Sequence, residues 1–333
     1  MPDSVTMRAA FIESLGPPEN IQYGELPTPR PGPTDVLVDV LATTVNPVDT
    51  FVRSGRFQTP IDFPLVVSRD LVGTVAETGS GALGFAVGDP VWCNSLGHEG
   101  RQGAAAERAV VAAERLYHLP PGVDPVVAVA AVHPAATAYL ALFTHGRVRT
   151  GETVLVLGAA GNVGSALVAL AVDAGARVIA TASAADADYC RSLGAAEVFD
   201  YRDADLTDRV LAAAVGGIDV HLDTSGENDL STAVRQLAPR GRIVLLAGAR
   251  SRPVLPVGEL YVRDCSINGF VISHATSTEL AEAATTVNRL LSSGRLRPRT
   301  VETLPLSAAA DVHRRMESGG LRGRRTVLRP EAT

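Results

Sequence analysis

The feature that most constrains this chain is a glycine-rich turn between an apolar strand and a helix. Val154–Leu157 predicts the strand, Gly158-Ala-Ala-Gly161-Asn-Val-Gly164 predicts the turn, and the helix is predicted from about Val163 to Ala174. Small residues let the backbone approach a pyrophosphate, and a helix N-terminus offers N–H groups and a favourable dipole. The spacing departs from the simple fingerprint, so a tight turn without a ligand is the alternative. The strand and the helix around the turn favour a dinucleotide-binding unit.

A change of pattern near Val126 divides the chain. Before about Ala112, short apolar runs are broken by Pro, Gly and Asp, which predicts an all-β half. From Val126 onward, helical and strand-like runs alternate, which predicts a doubly wound parallel sheet. Two amphipathic helices near the end, Thr278–Leu291 and Ser307–Glu317, indicate a return to the first domain. The further strands of the sheet are predicted at Arg177–Thr181, Glu197–Phe199, Val220–Asp223, Arg242–Leu246 and Ser266–Gly269.

Length and charge exclude several classes of protein. A chain of 333 residues exceeds a typical domain of roughly 100–200 residues, so two domains are expected. The net charge is −6 and no basic run stands out, which argues against nucleic-acid and membrane partners. All 30 basic residues are arginine, which excludes chemistry that needs a Schiff-base or phosphate-binding lysine.

The cysteines and the apolar runs indicate a cytoplasmic location. Cys93, Cys190 and Cys265 are scattered and odd in number, which fits a reducing compartment. Charged residues interrupt the amino-terminal segment, so no signal peptide is expected. No apolar run is expected to approach the roughly 18 residues of a membrane span.

The strand after the glycine turn bears on the choice of nicotinamide cofactor. An acidic residue about 20 positions on normally holds the ribose 2′-hydroxyl of NAD, but this strand ends in Thr181-Ala-Ser183 without a carboxylate. Ser183, Tyr201 and Arg202 are therefore candidates to surround a 2′-phosphate. The alternative for Tyr201 and Arg202 is that they only cap a surface loop.

Two later strands also end in small polar turns. These turns are Asp223-Thr-Ser225-Gly226 and Leu246-Ala-Gly248. They fall at the edge where a doubly wound sheet binds its ligand, and ordinary strand-end turns are the alternative.

Further motifs occur in a fixed order from Met7 to Pro330. They are Asn46-Pro-Val-Asp49-Thr-Phe-Val-Arg53-Ser-Gly55, Ser68-Arg69-Asp70-Leu-Val-Gly73, Gly88-Asp89-Pro-Val91, Gln102-Gly-Ala104, Thr137-Ala-Tyr139, Gly151-Glu-Thr-Val154 and the stretch from Glu317-Ser-Gly319 to Gly323. Together they resemble the medium-chain dehydrogenase/reductases, and within that superfamily the zinc-independent quinone oxidoreductase branch that includes zeta-crystallin. The resemblance implies an α/β fold with a GroES-like β-rich catalytic domain, residues 1–125 and 270–333, and a Rossmann domain with a doubly wound parallel sheet, residues 126–269.

The resemblance also implies which residues would carry catalysis and cofactor binding. Asn46 would lie beside the nicotinamide, where it would polarise a substrate carbonyl or position the ring. His133 and Thr137 belong to a region that the family folds against the ring, and His133 would deliver a proton or only form the wall. The residues implied in cofactor binding are Gly158, Gly161, Asn162, Val163, Gly164, Ser183, Tyr201, Arg202, Ser225, Ala247, Gly248, Phe270 and Ile272.

No metal is expected in a protein of this branch. Zinc-dependent relatives present a cysteine where this chain has Asn46 and a histidine where it has Arg69, and neither Asn nor Arg is a suitable zinc ligand. A structural zinc would need four clustered cysteines, and only Cys93 lies in the relevant half. We interpret Gly97-His98-Glu99-Gly100 as a loop.

The chain departs from the family pattern at several positions. Phe51 and Phe57 stand where many members carry tyrosine, so the usual phenolic donors to substrate are missing. Ser68 stands where many members carry glycine. Ala187 replaces a lysine that commonly assists the 2′-phosphate, so the preference for NADPH is expected to be moderate.

The resemblance implies a cytoplasmic NADPH-dependent oxidoreductase that transfers hydride to a quinone or an α,β-unsaturated carbonyl without a metal. A homodimer joined through the edge of the sheet near Cys265–Ile272 is implied as well. Two alternatives stay open, an enoyl-thioester or polyketide enoyl reductase and a non-catalytic NADPH-binding redox sensor. NADPH binding without oxidation in the presence of many quinones would favour the sensor.

Overall fold

The computed structural model describes residues 6–331. Contacts within the chain define two compact units. Met1–His133 with Leu280–Thr333 form the first, as far as they are described, and Pro134–Glu279 form the second. The domain bounds given by the sequence stay a prediction, and their ends at 1–5 and 332–333 lie outside the described residues.

The first unit consists mainly of strands, whereas strands alternate with helices in the second. The strands within residues 6–331 are β1 (Thr6–Ile12), β2 (Gln22–Pro27), β3 (Asp35–Thr44), β4 (Leu65–Val66), β5 (Asp70–Thr78), β6 (Pro90–Cys93), β7 (Arg108–Ala112), β8 (Tyr117–His118), β9 (Thr153–Leu157), β10 (Arg177–Ala182), β11 (Glu197–Asp200), β12 (Ile218–Asp223), β13 (Leu237–Leu245), β14 (Ser266–Gly269), β15 (Val301–Pro305) and β16 (Arg325–Arg329). The α-helices are α1 (Pro47–Arg53), α2 (Pro125–Tyr139), α3 (Asn162–Asp173), α4 (Ala187–Ser192), α5 (Leu206–Ala213), α6 (Leu230–Gln236), α7 (Val257–Tyr261), α8 (Ser277–Ser292) and α9 (Ala309–Glu317).

The first unit is built on two β-sheets. One sheet has the strand order β2-β1-β4, and the other has the order β15-β16-β3-β5-β6-β8 with β7 also paired to β3. Only the β15–β16 pair is parallel among the described pairs of these sheets. Among the described residues, one apolar cluster of this unit includes Phe11 and Leu306, and another includes Val38 and Val91. The prediction of a GroES-like, β-rich domain is confirmed.

The second unit contains a six-stranded parallel sheet. Its strand order is β11-β10-β9-β12-β13-β14, and every pairing is parallel. After β9, the chain adds β10 and β11 on one side of that strand and then β12, β13 and β14 on its other side. The carboxyl ends of β9 and β12 therefore lie side by side at the switch point, where doubly wound sheets bind ligands. The predicted doubly wound sheet is confirmed.

The half that the sequence analysis predicts as all-β contains one α-helix, α1. Pro47 occupies its first position, where the missing N–H costs nothing, and Asp49 Oδ2 accepts a hydrogen bond from the Asn46 backbone N–H at 2.7 Å. The Pro and Asp that suggest a break between strands are thus the start signals of a short helix. The expectation of an all-β half is wrong at this segment.

The expectation about apolar runs also needs correction. The run Pro125–His145 joins α2 to a π-helical turn and has a mean hydropathy of 1.8 over its most apolar window, so its length and composition would allow a membrane span. However, 78% of that window is buried inside the protein. A core helix rich in alanine meets the same criterion, so this single run is weak evidence for a span.

Candidate active site

A buried carboxylate, Asp70 at the start of β5, is the centre of a polar cluster in the first unit. Its Oδ2 accepts hydrogen bonds from Thr44 Oγ1 and Asn46 Nδ2, each at 2.7 Å. Its Oδ1 lies 3.0 Å from His133 Nδ1. The register of β3 against β5 places Thr44 opposite Asp70. Asn46 follows two residues later, just before α1, and its side chain reaches the same carboxylate. The structure thus joins two predicted site residues, Asn46 and His133, through a third side chain.

Arg325 on the last strand, β16, completes the cluster. It donates to Asn46 Oδ1 and to Thr44 Oγ1, each at 3.0 Å, and to the backbone oxygen of Ala130 at 2.9 Å. Its Nη2 lies 3.8 Å from Asp70 Oδ2. The Asn46 amide is therefore held on both sides, and its side chain is only 1% exposed. This burial favours a positioning role for Asn46 over direct contact with substrate.

The tautomer of His133 follows from its neighbours. Nδ1 faces two acceptors, Asp70 Oδ1 and the Asn94 backbone oxygen at 3.3 Å, so Nδ1 carries the proton and donates it. A carboxylate that accepts from Nδ1 orients the ring, as in the carboxylate–histidine pairs of general acid–base chemistry. Burial raises the pKa of Asp70, but His133, Arg325 and Asn46 outweigh burial and hold that pKa below its ordinary value. Asp70 is therefore ionised whenever the protein is folded near neutral pH.

A second buried carboxylate, Asp49 on α1, pairs with Arg69. Asp49 Oδ1 lies 3.4 Å from Arg69 Nε, and both side chains are almost fully buried. Burial raises the pKa of Asp49 to about 6, against the opposing charge of Arg69. The Asp49 carboxyl therefore gains a proton at a higher pH than an exposed aspartate does. Within residues 6–331, no group of three His, Cys, Asp or Glu side chains could hold a metal ion.

Of the predicted catalytic residues, Thr137 remains to be placed. It lies one helical turn after His133 on α2 and is half-buried. The sequence analysis gives no role to Asp70 or Arg325. Asp70 belongs to a family motif, but no local pattern in the sequence indicates that Arg325 would reach it.

The glycine turn of the second unit fits a pyrophosphate cradle. A Cβ on Gly164 would lie 2.2 Å from the backbone oxygen of Gly158, so only glycine allows the helix to begin so close to the strand. Gly158 has a φ of +74°, which glycine adopts without strain. Gly161 precedes α3, and Asn162 and Val163 form its first turn. Their backbone N–H groups are those that a helix N-terminus offers to an anion.

The turns after β12 and β13 meet at the same edge. Asp223 at the end of β12 accepts hydrogen bonds from the Ser225 backbone N–H at 2.7 Å and from the Ser225 hydroxyl at 2.6 Å. The amide of buried Asn228 donates to the Ala247 backbone oxygen at 3.0 Å. A Cβ on Gly248 would lie 2.3 Å from the Gly226 oxygen, so the two turns are in close contact. The structure therefore brings Ser225, Ala247 and Gly248 together through Asp223, which belongs to the predicted turn, and through Asn228, which the sequence analysis does not mention.

The predicted 2′-phosphate residues lie at the ends of β10 and β11. The Arg202 guanidinium stacks over the Tyr201 ring at 4.8 Å, and both side chains are exposed. The Ser183 hydroxyl donates to Asp186 Oδ2 at 2.7 Å, and Asp200 Oδ2 accepts from the Ala184 backbone N–H. Two carboxylates therefore stand beside the donors. Their charge would oppose a 2′-phosphate.

The last two predicted cofactor residues follow the edge strand β14. The Phe270 ring stacks on the His145 ring with centroids 4.5 Å apart, and the Phe270 backbone N–H donates to Leu245 at 3.2 Å. Ile272 is buried at the start of a short 3₁₀ turn. These contacts fix the segment to β13 rather than leaving it as a loose loop.

Comparisons with known families agree with both halves of this description. Residues 32–121 match the alcohol dehydrogenase GroES-like domain, and residues 162–289 match the zinc-binding dehydrogenase family. The chain is 31% identical to the quinone oxidoreductase of Rattus norvegicus over 326 residues, covering 97% of this chain and 98% of the rat protein. It is also 31% identical to a 2-haloacrylate reductase of a Burkholderia species, covering 97% and 99% of the two chains.

Two solved structures are also similar to this chain over nearly its full length. The quinone oxidoreductase of Pseudomonas syringae pv. tomato matches with a TM-score of 0.85 and 27% identity over 97% of this chain and 100% of that one. A mycobacterial protein solved in complex with NADPH matches with a TM-score of 0.82 and 29% identity, again over 97% and 100% of the two chains.

Proposed function

The chain belongs to the zinc-independent quinone oxidoreductase branch of the medium-chain dehydrogenase/reductase superfamily, and from this we propose that it is an NADPH-dependent reductase of quinones and α,β-unsaturated carbonyls. The observation that carries the proposal is the glycine turn at the switch point of the parallel sheet, whose closest backbone contact excludes any Cβ at Gly164. The 2-haloacrylate reductase among the relatives supports electron-poor alkenes as part of the substrate range.

Bound NADPH would supply the hydride. The chain's own residues would bind and orient the cofactor and the substrate, and would transfer the proton. The N–H groups at the start of α3 would hold the pyrophosphate, and the turns after β12 and β13 would hold the rest of the dinucleotide. Hydride addition to a quinone or enone puts negative charge on the acceptor oxygen, which must then gain a proton. His133, whose ring is oriented by Asp70, is our candidate for delivering that proton.

The direct test is NADPH consumption measured with the purified protein across quinones, enones and enoyl thioesters. We expect turnover with quinones and enones. Turnover confined to enoyl thioesters would favour a carrier-dependent enoyl reductase, and tight NADPH binding without oxidation by any acceptor would favour a redox sensor. Either result would reject the proposal.

His133→Ala is expected to lower kcat/KM for enones by about 10²-fold, the effect of losing a positioned acid, and to change quinone turnover little. A reduced quinone is stabilised by its aromatic ring and takes a proton from water readily, whereas an enolate needs help. Parallel assays of the variant with one enone and one quinone measure the difference. His118→Ala is the matched control, because His118 lies on β8 of the same unit and its side chain is 55% exposed. Equal activity of wild type and His133→Ala on both acceptors would reduce His133 to a wall residue.

Arg202→Ala is expected to raise the KM for NADPH by about tenfold, the size of one charge-assisted hydrogen bond on an exposed surface, and to leave the KM for NADH unchanged. Asp186 and Asp200 beside Ser183 keep the overall preference for NADPH moderate. The control is Arg191→Ala, because Arg191 is also exposed and pairs with Asp188. An unchanged NADPH constant in Arg202→Ala would remove Arg202 from the site.

The purified protein is expected to contain no stoichiometric zinc and to keep its activity in a chelator. Asn46 and Arg69 stand at the ligand positions of zinc-dependent relatives, and an arginine would place a positive charge where the metal would bind. Elemental analysis with activity assays before and after chelation measures both. About one zinc per chain, with activity lost on its removal, would contradict this expectation.

The assembly and the compartment complete the proposal. β14 is an edge strand of the parallel sheet, and Tyr261 and Val262 just before it are 69% and 66% exposed. These apolar surfaces beside an open edge support a homodimer joined near Cys265–Ile272, and the three free cysteines support a cytoplasmic location. Sedimentation showing a monomer at micromolar concentration would contradict the homodimer.

A further inference from the structure

A proline lies inside α2, next in the chain to His133. Pro134 is buried and belongs to the interior of the helix. A proline at such a position has no N–H to donate to the carbonyl four residues earlier, and its ring pushes that carbonyl aside. For Pro134 this carbonyl is that of Ala130. Proline is the least favourable residue inside a helix, so its presence beside His133 indicates a compensating role.

The Ala130 carbonyl accepts a hydrogen bond from a side chain, that of Arg325. The Arg325 Nε–H donates to the Ala130 oxygen at 2.9 Å. Arg325 is 3% exposed, and its other nitrogens donate to Asn46 Oδ1 and Thr44 Oγ1, each at 3.0 Å. The N–H donors of a guanidinium have fixed directions in one plane, so these bonds set its orientation together. The oxygen that Pro134 leaves without its usual helical donor therefore anchors the guanidinium in the polar cluster.

The same turn of α2 carries His133. Helix carbonyls point toward the residue four positions later, so the Ala130 oxygen and the His133 ring lie within one turn of each other. The His133 Nδ1 lies 3.0 Å from Asp70 Oδ1, and Asp70 Oδ2 lies 3.8 Å from Arg325 Nη2. The turn is thus held at two points, at its carbonyl by Arg325 and at its ring by Asp70. A change at the Ala130 carbonyl would move the ring relative to the carboxylate.

We propose that Pro134 is a positioning residue, which keeps the Ala130 carbonyl for Arg325 and so holds the His133 ring against Asp70. This inference rests on the proposed function, in which His133 delivers the proton to the reduced acceptor. With an N–H at position 134, the helix would form its own bond to Ala130 and compete with Arg325 for that oxygen. The turn would then be more regular, and the ring would be held less firmly at the carboxylate.

Pro134→Ala restores the N–H and tests this role. We expect kcat for an enone to fall about tenfold, a part of the effect of losing a positioned acid, while kcat for a quinone and KM for NADPH change by less than about twofold. The Tm should not fall, because the restored helix bond and the better helix former offset the lost ring contacts. Pro125→Ala is the matched control, since Pro125 is the first residue of the same helix, where a missing N–H costs nothing. It should leave both kcat values unchanged.

The ring of His133 can also be followed without turnover. In protein labelled with ring-¹⁵N histidine, NMR distinguishes the Nδ1–H from the Nε2–H tautomer, and His133→Ala identifies this ring among the seven histidines. We expect the Nδ1–H tautomer in wild type and in Pro125→Ala, and a mixture of tautomers in Pro134→Ala. A wild-type ring spectrum in Pro134→Ala, an unchanged kcat for the enone, or equal losses on the enone and the quinone would overturn the proposal.

Arg325→Lys tests the other side of the contact. Lysine keeps a positive charge but replaces the planar set of donors with a single ammonium group. Because Pro134 and Arg325 would act through one oxygen, the double variant Pro134→Ala/Arg325→Lys should lower the enone kcat no further than Arg325→Lys alone. Losses that multiply would contradict the proposal, and if Arg325→Lys does not fold, Pro134→Ala decides alone. If the wild type reduces no acceptor at all, the proposed function fails, and the ring spectra still decide whether Pro134 positions His133.

Discussion

Asp70→Ala is expected to lower the free energy of unfolding by about 3–5 kcal/mol, the cost of removing one partner from a buried ion pair. The carboxylate is fully buried and accepts hydrogen bonds from Thr44, Asn46 and His133. Its removal leaves the buried Arg325 guanidinium without the anion at 3.8 Å and leaves the Asn46 amide without its acceptor. Urea unfolding followed by circular dichroism measures the loss.

The control for Asp70 is an aspartate on the neighbouring strand. Asp39 on β3 pairs with Arg108 at 2.8 Å, but both side chains are about half exposed. Asp39→Ala should therefore cost about 0–1 kcal/mol. Asp70→Asn keeps one acceptor oxygen, so its loss of stability should lie between the two. A cost for Asp70→Ala no larger than that for Asp39→Ala would show that the cluster does not hold the first unit together.

Gly164→Ala is expected to weaken NADPH binding by roughly 10²-fold, because the turn must move and two hydrogen bonds to the pyrophosphate are lost. The added Cβ would lie 2.2 Å from the Gly158 oxygen and 2.8 Å from Ala159 Cα. Both are backbone atoms, so no side chain can yield to relieve the contact. NADPH fluorescence titration measures the affinity, and thermal unfolding measures the accompanying loss of stability, about 1–3 kcal/mol.

Gly258→Ala serves as the control for Gly164. Gly258 lies in α7, and a Cβ there would have no atom within 4 Å. Alanine should raise helix stability slightly, by about 0.5–1 kcal/mol, and leave the NADPH affinity unchanged. If Gly164→Ala bound NADPH as tightly as Gly258→Ala, the glycine turn would not be the pyrophosphate site.

The dinucleotide unit could be predicted because its signals are local. The strand, the glycine turn and the helix at 154–174 are consecutive, and the following strands alternate with helices at regular spacing. The predicted strand Ser266–Gly269 coincides with β14, and the predicted helix Thr278–Leu291 lies within α8. Periodicity and glycine placement predict such elements, because the residues that contact one another within them are close in the chain.

The polar cluster could not be predicted, because its members come from distant segments. Asn46 and Arg325 are 279 residues apart, and Asp70 and His133 are 63 apart. No periodic pattern encodes such a meeting. His133 within an apolar helix resembles an ordinary core residue until Asp70 is seen beside it. Ser68 stands where many members of the family carry glycine, and its backbone has the left-handed conformation, with a φ of +66°, that glycine favours.

The dependence of the first unit on β16 has a consequence for the order in which the protein assembles. The second unit is one continuous stretch, Pro134–Glu279, and all of its strands have left the ribosome before Arg325 is synthesised. The first unit must wait for β16 to pair with β3 at Thr43 and Thr44. Until then the Arg325 guanidinium is not available to Asp70. The long segment between β3 and β16 also has not been closed into a loop by their pairing. During translation, the sheet that would bind the dinucleotide can therefore form first, and the first unit is completed only after β16 has emerged.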